Sequence, residues 1–361
     1  MRHDRGARFR RTLAPVALVA VAALSGLPAH AVGAGTTRLS AAAVHLTEVS
    51  LDALTEINMN SVNVLGIHTH DGEWMLGYEF MFMRMEGNRD GTDDLSDRDV
   101  LRDFMVAPTD MAMEMHMFHL MYAPTGDLTL AAMLPFLRLS MDHVTRMGTR
   151  FTTRSEGLGD LEVGGSYTVY RVDGHRHRIL LSAGVFFPVG SIHERDDTPA
   201  GPDIRLPYPM QLGSGTFDLH PGLAYLGTGE TWAWGAETSA IIRAGKNSRG
   251  YRLGDELEFS AWATYGWAEW VSTSLRLQGD FWDDIHGADP ALNPMTIPTA
   301  DPDRRAGARV SVLPGLEFFV PRGFFRNQRT AVELGVPVFQ SLDGPQLETD
   351  WWVSLGWQWV F

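Results

Sequence analysis

Methionine and histidine recur at alternate positions in the sequence before residue 150. One run places thioethers at Met75, Met81, Met83 and Met85, and a second places Met111, Met113, Met115, Met117, His119 and Met121 at every second position. In an extended strand, alternate residues project from the same face. Each run therefore predicts a strand face covered by sulfur, and the second run adds an imidazole.

Three interpretations of these faces are open. Thioethers with imidazole are ligands for soft metals such as Cu(I), and the candidate ligands are His68, His70, Met113, Met115, Met117 and His119. Alternatively, methionine forms an adaptable, polarizable wall for hydrophobic or aromatic solutes. In the third interpretation, methionine fills an internal apolar core or faces lipid.

A third strand ends on Met141 and His143. Pro135 lies within it and suggests a bulge that switches its two faces. The faces of Met141 and His143 therefore stay open at this point.

The residues that could support hydrolysis are Ser166, Ser182 and His220. No nucleophile elbow or paired motif frames them, and the sequence has no HExxH motif and no glycine-rich phosphate loop. We expect no catalytic residues, no cofactor and no enzymatic activity. The rival from another class is a barrel hydrolase, which needs a Ser–His pair within hydrogen-bond reach, or a structural surface protein.

The elements that must position these residues are strands, because the apolar pattern has a period of two. About twelve are predicted, at 72–87, 108–122, 127–143, 157–171, 175–189, 214–227, 230–245, 255–267, 268–282, 306–320, 328–340 and 347–361. Their connections alternate between long and short, beginning with 88–107 and Pro124–Gly126, then 144–156 and Val172–Gly174. Such alternation is typical of an up-and-down antiparallel transmembrane β-barrel.

Polar side chains alternate with apolar ones along these strands. A charge at mid-bilayer depth costs about 2–4 kcal/mol, so the polar face must point into the lumen. The lumen-lining candidates are Met81, Met83, Met85, Glu79, Glu162, Asp218, Glu237, Arg243, Arg276, Asp280, Arg309 and Glu317. A lumen with both signs of charge fits either a selective pore or an internally paired plug.

The last eleven residues, Trp351–Phe361, alternate apolar and small or polar side chains and end on an aromatic carboxylate. They resemble the closing strand of bacterial outer-membrane barrels, whose C-terminal phenylalanine is part of the assembly signal. That resemblance implies the barrel-assembly machinery as a partner, through the strand that ends at Phe361.

The first residues have the pattern of a secretory signal peptide, predicted at 1–31. It has a basic start, an apolar run at Leu13–Leu27 and a small-x-small site at Ala29–Ala31. Residues 32–71 form an N-terminal extension, interpreted as a lumen plug, a periplasmic element or a disordered leader. The barrel is predicted over 72–361, in the outer membrane of a Gram-negative bacterium.

The amino-acid composition limits the chemistry and the binding partners that the protein can have. There is no cysteine, so disulfides and thiolate chemistry are excluded. The net charge of −14 argues against nucleic acid, which selects a basic surface. Outer-membrane lipid and lipopolysaccharide are the expected partners, with an unidentified small solute.

Two kinds of loop are predicted between the strands, one acidic and one rich in proline. Acidic segments at Asn88–Asp94 and His193–Asp197 lack the spacing of a calcium loop and are interpreted as solvated surface. Proline-rich segments at Thr198–Met210 and Ala288–Pro302 are predicted to be ordered and could fold over the mouth of the pore.

Several of these segments together carry a family resemblance. They are Gly87–Thr92, Met105–Thr109, Ser140–Arg146, Phe151–Asp160, Glu194–Pro202 and Asp343–Asp350. They resemble a bacterial outer-membrane β-barrel family of transporters related to proteins of the meta-cleavage pathway of phenol degradation. The resemblance implies a channel or transporter for small, hydrophobic or aromatic solutes, and it transfers no functional residues.

Overall fold

The computed structural model of the protein describes residues 71–172 and 176–361. The predicted leader at 1–31, all of the extension at 32–71 except Asp71, and His68 and His70 lie outside these residues.

The described residues form an all-β, antiparallel barrel. In chain order its strands are β1 (Trp74–Gly91), β2 (Asp93–Leu95), β3 (Val106–Thr125), β4 (Leu128–Thr145), β5 (Arg150–Leu158), β6 (Leu161–Val172), β7 (His177–Phe187), β8 (Arg195–Thr198), β9 (Gly201–Arg205), β10 (Phe217–Thr228), β11 (Trp232–Ala244), β12 (Tyr251–Arg252), β13 (Glu256–Ala268), β14 (Val271–Trp282), β15 (His286–Gly287), β16 (Gly307–Val320) and β17 (Gln328–Val360). Eleven of these described strands form the ring, and β2 and β5 pair outside it. The other short strands form two separate hairpin-like pairs, β8 with β9 and β12 with β15.

The ring is closed between its first and last strands. Tyr78 of β1 lies opposite Phe118 of β3 on one side and opposite Trp357 of β17 on the other. Every other strand of the ring pairs with the neighbours that precede and follow it in the chain. Because closure leaves no free edge, all strands of the ring can satisfy their backbone hydrogen bonds.

The strand at the C-terminal end differs from the prediction. The segments expected as separate strands at 328–340 and 347–361 are assigned to one element, β17, because pairing with neighbouring strands continues into the predicted loop at 341–346. One part of β17, Gln328–Leu342, pairs with β16, and the other, Leu342–Val360, pairs with β1. The structure thus has eleven continuous strands in its described ring rather than about twelve.

Pro135 does not switch the faces of β4, contrary to the prediction. The interruption lies in the neighbouring chain segment, where β5 ends at Leu158 and β6 begins at Leu161. The Gly159 N–H donates to the Pro135 carbonyl at 2.8 Å, which keeps the interrupted segment attached. Met133 and Met141 therefore share one face of β4.

Connections differ at the two ends of the barrel. The short-turn end has connections such as 126–127, 229–231 and 269–270, whereas the long-loop end carries 188–216, 245–255 and 283–306. The predicted loop at 144–156 is wrong, because β4 and β5 pair across most of it. The predicted loop at 88–107 contains β2 and a helix, α1 (Asp97–Asp103).

Helix α1 begins at a capping box. The Ser96 hydroxyl accepts from the Asp99 N–H, and the Asp99 carboxylate accepts from the Ser96 N–H. Val100 and Phe104 pack with Ala107 and fix this segment against β3. In the described part of the chain, no helix combines the length and the apolar character that a bilayer span requires.

Candidate functional site: the inner face of the barrel

Eleven methionines cover the inner face of three adjacent strands, β1, β3 and β4. This methionine wall consists of Met75, Met81, Met83, Met85, Met111, Met113, Met115, Met117, Met121, Met133 and Met141. Five cross-strand pairs join thioethers directly: Met75 with Met121, Met81 with Met115, Met83 with Met113, Met85 with Met111, and Met111 with Met141. Strand pairing thus turns separate sequence runs into one continuous sulfur-rich surface.

The methionine wall is packed along its length. Near the short-turn end, Met75, Met121 and Met133 are buried in one cluster with Ala131. Midway, Met83 packs with Leu313 and Trp352, which extends the apolar surface onto β16 and β17.

The inner face of the remaining strands is polar and internally paired. Its ion pairs and hydrogen bonds join Arg276 with Glu333, Arg243 with Asp218 and Glu256, Arg309 with Asp280 and Thr349, His220 with Glu162, and Ser260 with Glu237. The Arg243–Asp218 contact is 2.6 Å and the His220–Glu162 contact is 2.7 Å. In these pairs, the guanidinium groups of Arg243, Arg276 and Arg309 each contact at least one carboxylate.

Arg276 occupies the centre of this polar surface. Its side chain is 1% exposed and forms two contacts to the Glu333 carboxylate, which is 3% exposed. It also interacts electrostatically with Glu79 and Glu317. Three carboxylates therefore share one buried guanidinium.

The long-loop end of the barrel is covered by a cap, which we define as loops 188–216, 245–255 and 283–306. Leu206, Met210 and Leu212 of the first loop pack on the methionine wall at Met111 and Met141. The cap thus closes over one end of the apolar surface.

A buried ion pair ties two loops of the cap together. The Arg205 guanidinium donates two hydrogen bonds to the Asp289 carboxylate, at 3.0 and 2.8 Å, and the two side chains are 4% and 0% exposed. The Asp289 N–H donates to the Tyr208 hydroxyl at 3.0 Å.

Loop 245–255 contacts loop 188–216 through an aromatic pair. The rings of Tyr208 and Tyr251 meet edge to face with centroids 4.9 Å apart. Burial raises the pKa of Tyr251 to about 12, so its phenol stays neutral at physiological pH.

The structure brings most of the predicted site residues to one surface. All twelve lumen-lining candidates lie on the inner face of the ring, the three methionines in the methionine wall and the rest in the polar surface. Met113, Met115, Met117 and His119 lie on the inner face of β3. That these side chains contact a solute or a metal stays a prediction.

The hydrolase candidates do not form a nucleophilic pair in the described residues. The His220 ring is hydrogen bonded to Glu162, and no hydrogen bond joins it to Ser166 or Ser182 there. Within the same ranges, no group of three or more His, Asp or Glu side chains is arranged to hold a metal ion.

The acidic loops are tied to the protein. Arg89 contacts Asp94 and Glu348, each at 2.6 Å, and the buried Asn88 amide donates to the Pro108 carbonyl. In the second loop, the Asp196 carboxylate accepts from the Arg154 N–H at 2.7 Å. Both segments lie largely in strands rather than in loops, since Asn88–Gly91 belongs to β1, Asp93 and Asp94 to β2, and Arg195–Asp197 to β8.

Comparison with known families now identifies the chain. The family model described as "Putative MetA-pathway of phenol degradation" matches residues 90–331, about two thirds of the sequence. The chain belongs to this family. The resemblance drawn from the sequence motifs is confirmed.

One solved structure shares the fold of this chain, and others are similar to it at lower scores. The COG4313 outer membrane channel from Pseudomonas putida F1 is 15% identical, with a TM-score of 0.61, over 84% of this chain and 100% of that chain. The toluene transporter TodX from P. putida is 10% identical (TM-score 0.39; 81% and 90% covered), and a Pseudomonas aeruginosa FadL homologue is 11% identical (TM-score 0.39; 83% and 93% covered). A search of curated proteins finds no match for the chain.

The sequence did not predict the cap contacts of this phenol-degradation family member, because these residues are brought together only by the folding of the loops. Among these, Arg205 and Asp289 are separated by 84 positions. The available signal was the two proline-rich segments that contain them, which predict ordered loops but not their contact.

Proposed function

We propose that this protein is an outer-membrane channel that passes small hydrophobic or aromatic solutes along the methionine wall. The observation that carries the proposal is the wall itself, eleven thioethers on the inner face of three paired strands. The family description, which concerns phenol degradation, and the fold shared with an outer membrane channel support the same activity.

Methionine suits such a path for physical reasons. Its side chain is unbranched and polarizable, so it adapts to ligands of different shape and makes favourable contacts with aromatic rings. On the opposite surface, the guanidinium groups of Arg243, Arg276 and Arg309 already contact carboxylates, so an apolar solute that follows the methionine wall need not break these pairs. A solute with one hydroxyl can slide along sulfur and still meet polar groups across the lumen.

The proposal places the outer face of the ring in lipid. Large apolar side chains such as Leu219, Leu223, Leu275 and Leu277 are exposed there. Short turns then face the periplasm, and long loops face the exterior with its lipopolysaccharide. The leader at 1–31 directs export, and assembly uses the strand that ends at Phe361.

In this arrangement β17 crosses the bilayer twice, so the barrel has twelve crossings. The two parts of β17 lie side by side, since the Gln340 side chain exchanges two hydrogen bonds with the Thr349 backbone at 2.8 and 2.9 Å. An even number of crossings returns both chain ends to the same side of the membrane.

A charge on the outer face tests the membrane placement. Leu275→Arg is expected to lower the free energy of unfolding in lipid vesicles by about 2–4 kcal/mol, because arginine at mid-bilayer depth is poorly solvated. Urea titration of tryptophan fluorescence measures the loss. The matched control is Val320→Arg near the short-turn end, where the cost falls to about 0–1 kcal/mol. Equal costs at the two positions would contradict the placement.

Polar substitution of the methionine wall tests the transport activity. The triple variant Met81→Gln, Met83→Gln and Met113→Gln keeps side-chain length but removes apolar contact. A loss of about 1.4 kcal/mol of solute stabilisation corresponds to a tenfold change, so uptake of radiolabelled toluene by expressing cells is expected to fall about tenfold.

The control replaces the same three residues with leucine, which keeps the wall apolar at similar volume. Uptake by that variant is expected to stay close to that of the wild type, because leucine keeps the apolar contact that glutamine removes. Surface expression is measured for each variant. If the glutamine and leucine variants take up toluene equally well, the wall does not guide the solute and the proposal is wrong.

A further inference from the structure

His119 lies on the inner face of β3 in a setting that is unusual for a histidine. The residue is 5% exposed, and its Nδ1 atom is buried without a hydrogen-bond partner. It lies opposite Gly77 of β1, where an added Cβ would stand 3.3 Å from the His119 Cβ. Because Gly77 has no side chain, the His119 side chain can lie directly beside the β1 backbone.

Thioethers surround His119 in the sheet. Met133 is its direct cross-strand partner on β4, and Met117 and Met121 flank it on the same face of β3. Met75 lies opposite Met121. Directly opposed residues have Cβ atoms about 4.5–5.5 Å apart, within reach of the long methionine side chain.

The same four methionines form one buried cluster, so their side chains converge rather than diverge. Met75, Met117, Met121 and Met133 pack together with Ala131. An imidazole nitrogen with no partner thus stands beside a convergent group of sulfur atoms.

Two carboxyl groups lie one position along the sheet from these sulfur atoms. Glu79 is the cross-strand partner of Met117, and Glu162 is the cross-strand partner of Met133. Both carboxyl groups are buried on the inner face. A cation held between the two methionines would be flanked by carboxyl groups without needing them as ligands.

We propose that His119, Met117 and Met133, with Met75 and Met121 beside them, form a binding site for a soft monovalent cation, Cu(I). Thioethers and imidazole are neutral, soft ligands that select Cu(I) over hard divalent ions. The chain contains no cysteine, so thiolates do not compete for the metal. These methionines also belong to the methionine wall, but Cu(I) binding is measured without transport, so the site and the proposed solute channel are tested separately.

The structure also changes the ligand set expected from sequence. Met113 packs with Met83 and Trp352 in a different cluster, and Met115 packs only at the edge of the cluster near His119. In the proposed site, Met133 and Met121 replace Met113 and Met115 in the ligand set. The sequence could not include Met133, because Pro135 suggested a bulge that left the faces of β4 undecided.

Cu(I) titration of the full-length, refolded barrel under reducing conditions tests the site, with bicinchoninate as the competing chelator. His119→Leu and the double variant Met117→Leu/Met133→Leu are each expected to weaken Cu(I) binding by about tenfold or more, as changes around metal sites commonly do. Methyl resonances of 13C-labelled methionine give a second readout, since Ag(I) should shift the signals of Met117 and Met133.

Three control variants separate this site from others. His143→Leu removes a buried histidine that stacks on Phe151 at 4.7 Å, Met147→Leu removes a methionine that is 90% exposed, and His68→Leu/His70→Leu removes the pair before the barrel. All three are expected to bind Cu(I) like the wild type. The proposal is overturned if the wild type binds no Cu(I), if the His119 variant binds normally, or if binding is lost in a control instead.

Discussion

Replacing Arg276 with leucine is expected to lower the free energy of unfolding of the barrel by about 3–5 kcal/mol, the usual cost of leaving a buried charge without its partner. The guanidinium is 1% exposed and pairs with Glu333, and it interacts electrostatically with Glu79 and Glu317. Without it, three carboxyl groups remain inside the barrel with one cation fewer. Urea unfolding in lipid vesicles, followed by tryptophan fluorescence, measures the change.

Two further variants separate the buried pair from a general effect of losing arginine. Arg322→Leu removes an arginine that is 72% exposed and 3.7 Å from Glu269, and its cost is expected to be below about 1 kcal/mol. Arg276→Leu/Glu333→Leu removes both partners and should recover much of the loss, because apolar replacement of a whole buried pair is often neutral. A double variant less stable than Arg276→Leu alone would show that the pair is not the source of the effect.

Alternation along the chain predicted which surface Arg276 would occupy. Strand residues i and i+2 share a face, and the cost of a charge in lipid decides which face turns inward. Hence the inner position of Arg276 and Glu79 could be expected from sequence alone, whereas the face of the methionines stayed open. The pairing of Arg276 with Glu333 did not, because 57 residues separate them and only the register of three strands brings them together.

The errors in strand boundaries have physical causes as well. The Asp343–Gln346 segment has the composition of a turn, but strand pairing with β16 before it and with β1 after it makes it part of one element, β17. Pro135 predicted a change of face, but the ladder of β4 continues because the neighbouring segment breaks instead, between β5 and β6. The residue types in one segment indicate that a strand is interrupted nearby, but they do not show which of two paired strands contains the interruption.

The packing of the cap was the part of the structure that the sequence predicted least. Proline marks an ordered loop but does not identify the surface on which the loop packs. Leu206, Met210 and Leu212 are the residues that join the cap to the methionine wall. Their contact depends on loops held by tertiary ion pairs, and the period-two pattern of the strands carries no information about it.

Breaking the tie between the cap loops is expected to open the long-loop end. In Asp289→Leu the Arg205 side chain, 4% exposed, keeps its charge but loses its partner, at a cost of about 3–5 kcal/mol. Because each 1.4 kcal/mol is a factor of ten, a loss of that size raises the fraction of molecules with a detached cap by about a hundredfold or more. Loop 188–216 should then leave Met111 and Met141, since its contacts there depend on a closed cap.

Tryptic cleavage after Arg205 and sugar flux in a liposome-swelling assay report this opening, and both are expected to increase in Asp289→Leu. Asp303→Asn, an exposed site in the same loop, is the matched control and should leave both rates unchanged. Arg205→Leu/Asp289→Leu replaces the buried ions by an apolar pair and should keep the cap closed. Because this variant lacks the tryptic site at position 205, its state is measured by sugar flux alone. Unchanged cleavage and flux in Asp289→Leu would mean that the apolar contacts of Leu206, Met210 and Leu212 hold the cap without the ion pair, and that the tie between loops does not control access to the methionine wall.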